Sequence, residues 1–220
     1  MLISENGVLV LQGDSITDCG RARPVGERPE ELGDGYAKMV SALLGAGYPE
    51  RRIRVFNTGI SGNTTRDLRA RWQEDTLNLN PTWVSIMIGA NDVWRHFDRP
   101  LNTWEQVGAE EYRENLEWLV AQTLPEVEGM ILMAPYYMGQ CEDDPMRQKM
   151  LQYAGIVHET ANANKIPFVD TQRLMDRYFR FYHPHAMSWD CIHPNHVGSM
   201  LLAHGLVDAV NYNWNHISPK

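Results

Sequence analysis

The chain has 220 residues, 43% hydrophobic and 22% charged, a balance that suits a folded domain and excludes a disordered, highly charged chain. Its formal net charge of -8 argues against nucleic acid as a partner, because that affinity comes from clustered Lys and Arg releasing counterions. No apolar run approaches the ~20 residues of a membrane span, and the opening MLISENGVLVLQGD lacks a basic flank and small-residue cleavage site, so the expectation is a cytoplasmic protein with no membrane partner.

In chain order, apolar runs at 7–13, 52–57, 83–89, 129–135 and 166–170 alternate with helix-like segments around 35–46, 65–78, 108–124, 146–164 and 196–211. Runs this short and this continuous suit strands buried on both faces of a parallel sheet. The expected fold is therefore α/β: a three-layer α/β/α, doubly wound domain on a five-stranded parallel sheet. With no repeat or linker in view, one domain is expected over 1–220. Thr65 and Asn195 read as helix caps, and Val197, Met200, Leu201 and His204 are spaced to form one face of the last helix. The stretch 136–150 reads as a long loop walling the site. Cys19, Cys141 and Cys191 are odd in number and far apart, which implies free thiols.

In such sheets the ligand site lies beyond the carboxyl ends of the strands. Polar clusters stand at those ends: GDSIT at 13–17, NTGISGN at 57–63 and IGAND at 88–92, with WDCIHPN at 189–195 just before the last helix. A serine hydroxyl becomes a nucleophile when a base takes its proton and a third group orients that base. Ser15, His193 and Asp190 supply the three types, and the Asp-x-x-His spacing lets one loop carry acid and base together. Acyl transfer also develops negative charge on the carbonyl oxygen, for which the backbone N–H groups of Ser15 and Gly62 and the amide of Asn91 are candidate donors.

Competing readings stand beside these. Ser61 is a rival nucleophile, although Gly59–Gly62 does not make the Gly-x-Ser-x-Gly elbow. His196 is a rival base, disfavoured because it should already lie on the last helix. Asp14 and Asp92 either orient their neighbours or sit as first-turn acids. Trp94, Trp189 and Asn63 are the candidate substrate-binding residues, with Arg95 and Tyr137 as weaker versions of the same idea. His183-Pro184-His185 resembles half a metal site but has no acidic or cysteine partner at ligand spacing, so no metal is expected.

The four blocks, in this order, resemble those of the SGNH (GDSL-type) hydrolase superfamily. The resemblance implies the flavodoxin-like fold, Ser15 as nucleophile, His193 as base, Asp190 as its orienter, and Gly62 and Asn91 in the oxyanion hole. GDSITDCGRARP at 13–24, GISGNTTRDL at 59–68, WVSIMIGANDVWR at 83–95 and DPMR at 144–147 more narrowly resemble the intracellular acetylxylan esterases. That implies removal of acetyl groups from xylo-oligosaccharides, no cofactor, and a homo-oligomer, for which Trp72, Trp104, Trp118 and Trp214 are candidate anchors if they are not core. The alternatives are a lysophospholipase or thioesterase of the same superfamily, with a long apolar groove, and a non-catalytic carbohydrate-binding protein.

Overall fold

The alternating runs become five parallel strands, β1 (Val8–Gly13), β2 (Arg54–Asn57), β3 (Trp83–Met87), β4 (Gly129–Met133) and β5 (Phe168–Val169), in the order β2-β1-β3-β4-β5. The computed structural model describes residues 1–26 and 28–218. Register pairs Leu11 with Asn57 and Ser85, Gly13 with Met87, and Met133 with both Met87 and Val169. All of β3, and β1 beyond Val8, is buried, which is why these strands read as continuous apolar runs and not as alternation. Each fully buried aliphatic side chain, such as Leu9, Val10, Leu11, Val84 and Ile131, stabilises the sheet by roughly 1.5–3 kcal/mol.

The described residues form eight α-helices, most of them laid over the two faces: α1 (Ser15–Asp18), α2 (Tyr36–Gly47), α3 (Thr65–Asp75), α4 (Ala90–Asp98), α5 (Ala109–Thr123), α6 (Pro145–Asn164), α7 (Thr171–Phe179) and α8 (His196–Ala209). On one side α8 packs against α2 and α7; on the other α5 packs against α3 and α6, and α4 against α6. The five strands, the helices on both faces and the three-layer order match the expectation. Helices α1, α4 and α7 were not expected, since none exceeds nine residues and each is shorter than the stretch over which a helical repeat is counted.

Three local readings need correction. The cap of α3 is Thr64, one residue before the expected Thr65: its N–H and hydroxyl both donate to Asp67, at 2.8 Å each. Asn195 does cap α8, accepting from Val197 N at 2.9 Å, but the buried face is Gly198, Ser199, Leu202, Ala203, Leu206 and Val207. Met200 and His204 face outward, because α8 is apolar around much of its girth and its packing against α2, α7 and the sheet selects another stripe. Trp72 is core, 1% exposed with its Nε1 donating to Thr123 Oγ1, so it anchors no interface.

From β1 the chain moves outward to β2, then returns past β1 to β3. The crevice where winding reverses opens at the carboxyl ends of β1 and β3. Ser15 follows β1 and Asn91 follows β3, so topology alone brings these two residues to one crevice.

Candidate active site

Ser15 sits on a tight strand-to-helix turn. A Cβ on Gly13 would lie 2.4 Å from Met87 O and 2.3 Å from Thr17 Oγ1, so only glycine lets the chain turn this close to β3. Asp14 then caps α1, its Oδ1 accepting from Ile16 N at 3.0 Å. Burial raises the Asp14 carboxyl from the ordinary 3.8 to about 6, against the pull of the Ile16 N–H and of nearby His193. Asp14 therefore shapes the turn that presents Ser15.

The loop before α8 brings acid and base to that serine. Ser15 Oγ lies 2.6 Å from His193 Nε2, and His193 Nδ1 lies 2.6 Å from Asp190 Oδ2. The other oxygen, Asp190 Oδ1, accepts from the backbone N–H of Ile192 (3.0 Å) and His193 (2.8 Å) and from Ser188 Oγ (2.9 Å). Burial pushes this carboxyl up, but the bonds from the His193 ring, the two backbone N–H groups and Ser188 outweigh it and hold Asp190 below the usual carboxylate range. An ionised Asp190 can only accept, so Nδ1 donates and Nε2 is left to accept from the Ser15 hydroxyl. His196 is the first residue of α8, outside this relay, as its position after Asn195 implied.

Gly62 lies on the loop from β2 to α3, at φ +86°, and among the described residues nothing beyond its chain neighbours comes within 4 Å of where a Cβ would stand. Glycine is required there by the left-handed backbone, and the space beside it is open. Ser61, the rival nucleophile, is tied down: its N–H and hydroxyl both donate to Asp18 Oδ2 at 3.0 Å. Asn91, 3% exposed at the start of α4, donates from Nδ2 to Asn63 O at 3.0 Å and accepts at Oδ1 from Arg95 Nη2 at 2.9 Å. Asn63 has its own Oδ1 engaged by Arg71 Nε at 2.7 Å. Asp92 accepts from Thr65 N (3.0 Å) and Thr65 Oγ1 (2.5 Å), binding α4 to α3; burial raises its carboxyl to about 7.

Two small clefts adjoin residues of the site, one at Gly62 and one at His193. One of about 330 Å³ is lined by Gly62, Thr64, Arg66, Arg95, Arg99 and the exposed Trp104. The other, about 280 Å³, is lined by His185, Trp189, His193 and Asn195, with Trp189 84% exposed. Trp94 stands with its ring centroid 6.0 Å from that of His193, tilted 54°. The loop before α6 backs the acid–base loop, Met138 N donating to Cys191 O at 2.9 Å. Tyr137 is held in that loop by its N–H bond to Gln172 Oε1 at 2.9 Å.

Sequence reasoning missed the supports behind these groups, namely Asp18 under Ser61 and Arg95 behind Asn91. A helix over 90–98 would have revealed the second, since Asn91 and Arg95 are then neighbours at i and i+4.

The model of the GDSL-like lipase/acylhydrolase family matches residues 11–201. An acetylxylan esterase from Geobacillus stearothermophilus is 47% identical over 215 residues, 97% of this chain and 98% of that protein. The crystal structure of Axe2, an acetylxylan esterase from Geobacillus stearothermophilus, superposes with a TM-score of 0.95 at 47% identity, covering both chains fully. Catalytic mutants of Axe2, with alanine in place of a serine, an aspartate or a histidine, match at 46% identity and a TM-score of 0.95, again over both whole chains. LAE5, an alpha/beta hydrolase enzyme from the metagenome of Lake Arreo, is 44% identical with a TM-score of 0.94 over 96% of this chain and 98% of that one.

Proposed function

The chain belongs to the GDSL-like lipase/acylhydrolase family, and from that premise we propose an acetylxylan esterase that takes O-acetyl groups off xylo-oligosaccharides through an acyl-enzyme on Ser15. The observation that carries this reading is the relay of 2.6 Å from Ser15 Oγ to His193 Nε2 and 2.6 Å from His193 Nδ1 to Asp190 Oδ2.

In the first half-reaction His193 Nε2 takes the Ser15 proton as Oγ bonds to the acetyl carbonyl carbon. The carbonyl oxygen becomes an oxyanion, met by the N–H groups of Ser15 and Gly62 and the Asn91 amide. Collapse of that intermediate breaks the bond to the sugar oxygen, which leaves with the proton held by His193. Water, deprotonated by the same imidazole, then attacks the acetyl-serine, and acetate departs as Ser15 regains its proton. No cofactor enters the sequence.

A sugar ester fits better than a lipid or long acyl thioester, because the clefts at Gly62 and His193 are small and lined largely by arginine, carboxylate, histidine and tryptophan side chains. Indole faces suit sugar rings, and Trp94 and Trp189 are our candidates for that contact, with the Asn63 backbone serving the oxyanion side. We further assign the enzyme to the cytoplasm as a homo-oligomer, with the exposed Trp104 and Trp214 supporting the second.

Mass spectrometry of acetylated xylo-oligosaccharides before and after incubation tests the reading. The expected result is stepwise loss of acetyl mass by the native chain and none by purified Ser15→Ala or His193→Ala. Undiminished deacetylation by Ser15→Ala, or a preference for eight-carbon over two-carbon nitrophenyl esters, would overturn it.

A further inference from the structure

We propose that Arg95 is a positioning residue for the reaction: it fixes and polarises the Asn91 side-chain amide that meets the oxyanion. The inference rests on the esterase reading above and assigns Arg95 a role other than substrate wall.

A primary amide is nearly symmetric in shape but not in chemistry. Rotating an asparagine side chain by half a turn exchanges its acceptor oxygen for its donor nitrogen at almost no steric cost, so a useful donor has to be held. Asn91 is held at both ends. Its Oδ1 accepts from Arg95 Nη2 at 2.9 Å, and one Nδ2 hydrogen goes to Asn63 O at 3.0 Å. Flipping would set the amide oxygen against the Asn63 carbonyl and the NH2 against a guanidinium that has only donors. Both contacts turn repulsive, and Asn91 is too buried for water to relieve them. The second Nδ2 hydrogen has no acceptor among the described residues and is free for a developing oxyanion.

Arg95 does more than orient. A cation bonded to Oδ1 draws electron density from the amide, which strengthens its N–H as a donor. The guanidinium is itself held, paired on its other side with Asp98 and lying 5.6 Å from the Trp94 ring centroid. Its side chain is 15% exposed, so the charge acts through a region with little water to screen it. The helix makes the arrangement possible, because residues 91 and 95 fall one turn apart on α4.

The test is a double-mutant cycle on the full chain, with Arg95→Met, Asn91→Ala and the double variant, read as kcat and KM on 4-nitrophenyl acetate and as affinity for phenylboronic acid, which forms a tetrahedral adduct on a nucleophilic serine. Arg95→Met is expected to lower kcat roughly 10- to 100-fold with KM changed less than about twofold, and to weaken the boronate in parallel. The double variant should be no slower than Asn91→Ala alone, because Arg95 acts through Asn91. Arg95→Lys keeps the charge but lacks the fork that reaches Asn91 and Asp98 together, so it should recover only part of the loss and serves if Arg95→Met does not fold. Losses that multiply in the double variant, or a raised KM with kcat retained, overturn the proposal and make Arg95 a substrate contact. A native enzyme that does not hydrolyse 4-nitrophenyl acetate, its Ser15 unlabelled by a phosphonate, overturns the esterase reading itself; native turnover and labelling with an Arg95→Met variant as fast as native sinks only the present inference.

Discussion

Asp190 orients an imidazole and organises its own loop, because one oxygen meets the His193 ring while the other gathers Ser188, Ile192 and His193. In Asp190→Asn the oxygen that gathers the loop is retained, but an NH2 replaces the acceptor facing Nδ1. The ring is then driven to the opposite tautomer, with its hydrogen on Nε2, where it cannot take the serine proton. We expect kcat on 4-nitrophenyl acetate to fall roughly 10⁴-fold with the melting temperature little changed. A loss under about tenfold would mean that Asp190 does no more than stitch the loop. Ser15, Asp190 and His193 were legible in the sequence because Asp-x-x-His is a local spacing and a strand-end serine has a defined place in this topology. Arg95 was not, since its partner is visible only once residues 90–98 are known to be helical.

The loop from β2 to α3 shows how an element without regular structure is held. Arg21 Nε donates to Gly59 O at 2.8 Å, Asn57 Oδ1 accepts from Gly59 N at 3.0 Å, Arg71 donates to Thr58 O at 2.9 Å, and Asp18 takes both donors of Ser61. Burial alone would raise Asp18, yet the Ser61 bonds and the Arg23 guanidinium keep its carboxyl below the usual range. Asp18→Ala removes the acceptor that fixes the Ser61 N–H beside Gly62; because Ser61 is exposed and can turn to water, the cost is about 0.5–1.5 kcal/mol of stability. Turnover should fall roughly tenfold or more, because the proposed oxyanion donor Gly62 loses its fixed direction. Ser61→Ala, which keeps the backbone bond to Asp18, should be milder in both assays; equal losses in the two variants would refute this account. The strands were readable because burial on both faces leaves an unbroken apolar run. The last was read too long: Pro167 offers no N–H to the ladder, so β5 is only Phe168–Val169. The buried face of α8 was misread because apolar residues occur on more than one side of it, leaving the packing against α2, α7 and the sheet to choose.

At the scale of the whole molecule, two buried carboxyls make stability depend on pH. Asp14 and Asp92 are raised to about 6 and about 7, above the 3.8 they have in an unfolded chain. As pH rises the unfolded chain gives up these protons first, so native stability falls across the window from about 4 to about 7 and levels off above it. At roughly 1.4 kcal/mol per unit of difference, the two shifts together set an upper bound on the decline of roughly 7 kcal/mol. Urea midpoints measured from pH 5 to 7.5 should show it, and Asp92→Asn, whose Oδ1 can still accept from Thr65, should flatten it; an unchanged slope in that variant would remove Asp92 as its source. The two rims of the sheet, finally, carry different duties. Ser15, His193, Gly62 and Asn91, the proposed nucleophile, base and oxyanion donors, all stand beyond the carboxyl rim on separate segments, while the strands beneath contribute rigidity. Preference among acetylated sugars can therefore drift by exchange of the loops that hold Trp104 and Trp189, with the hydrolytic centre inherited unaltered.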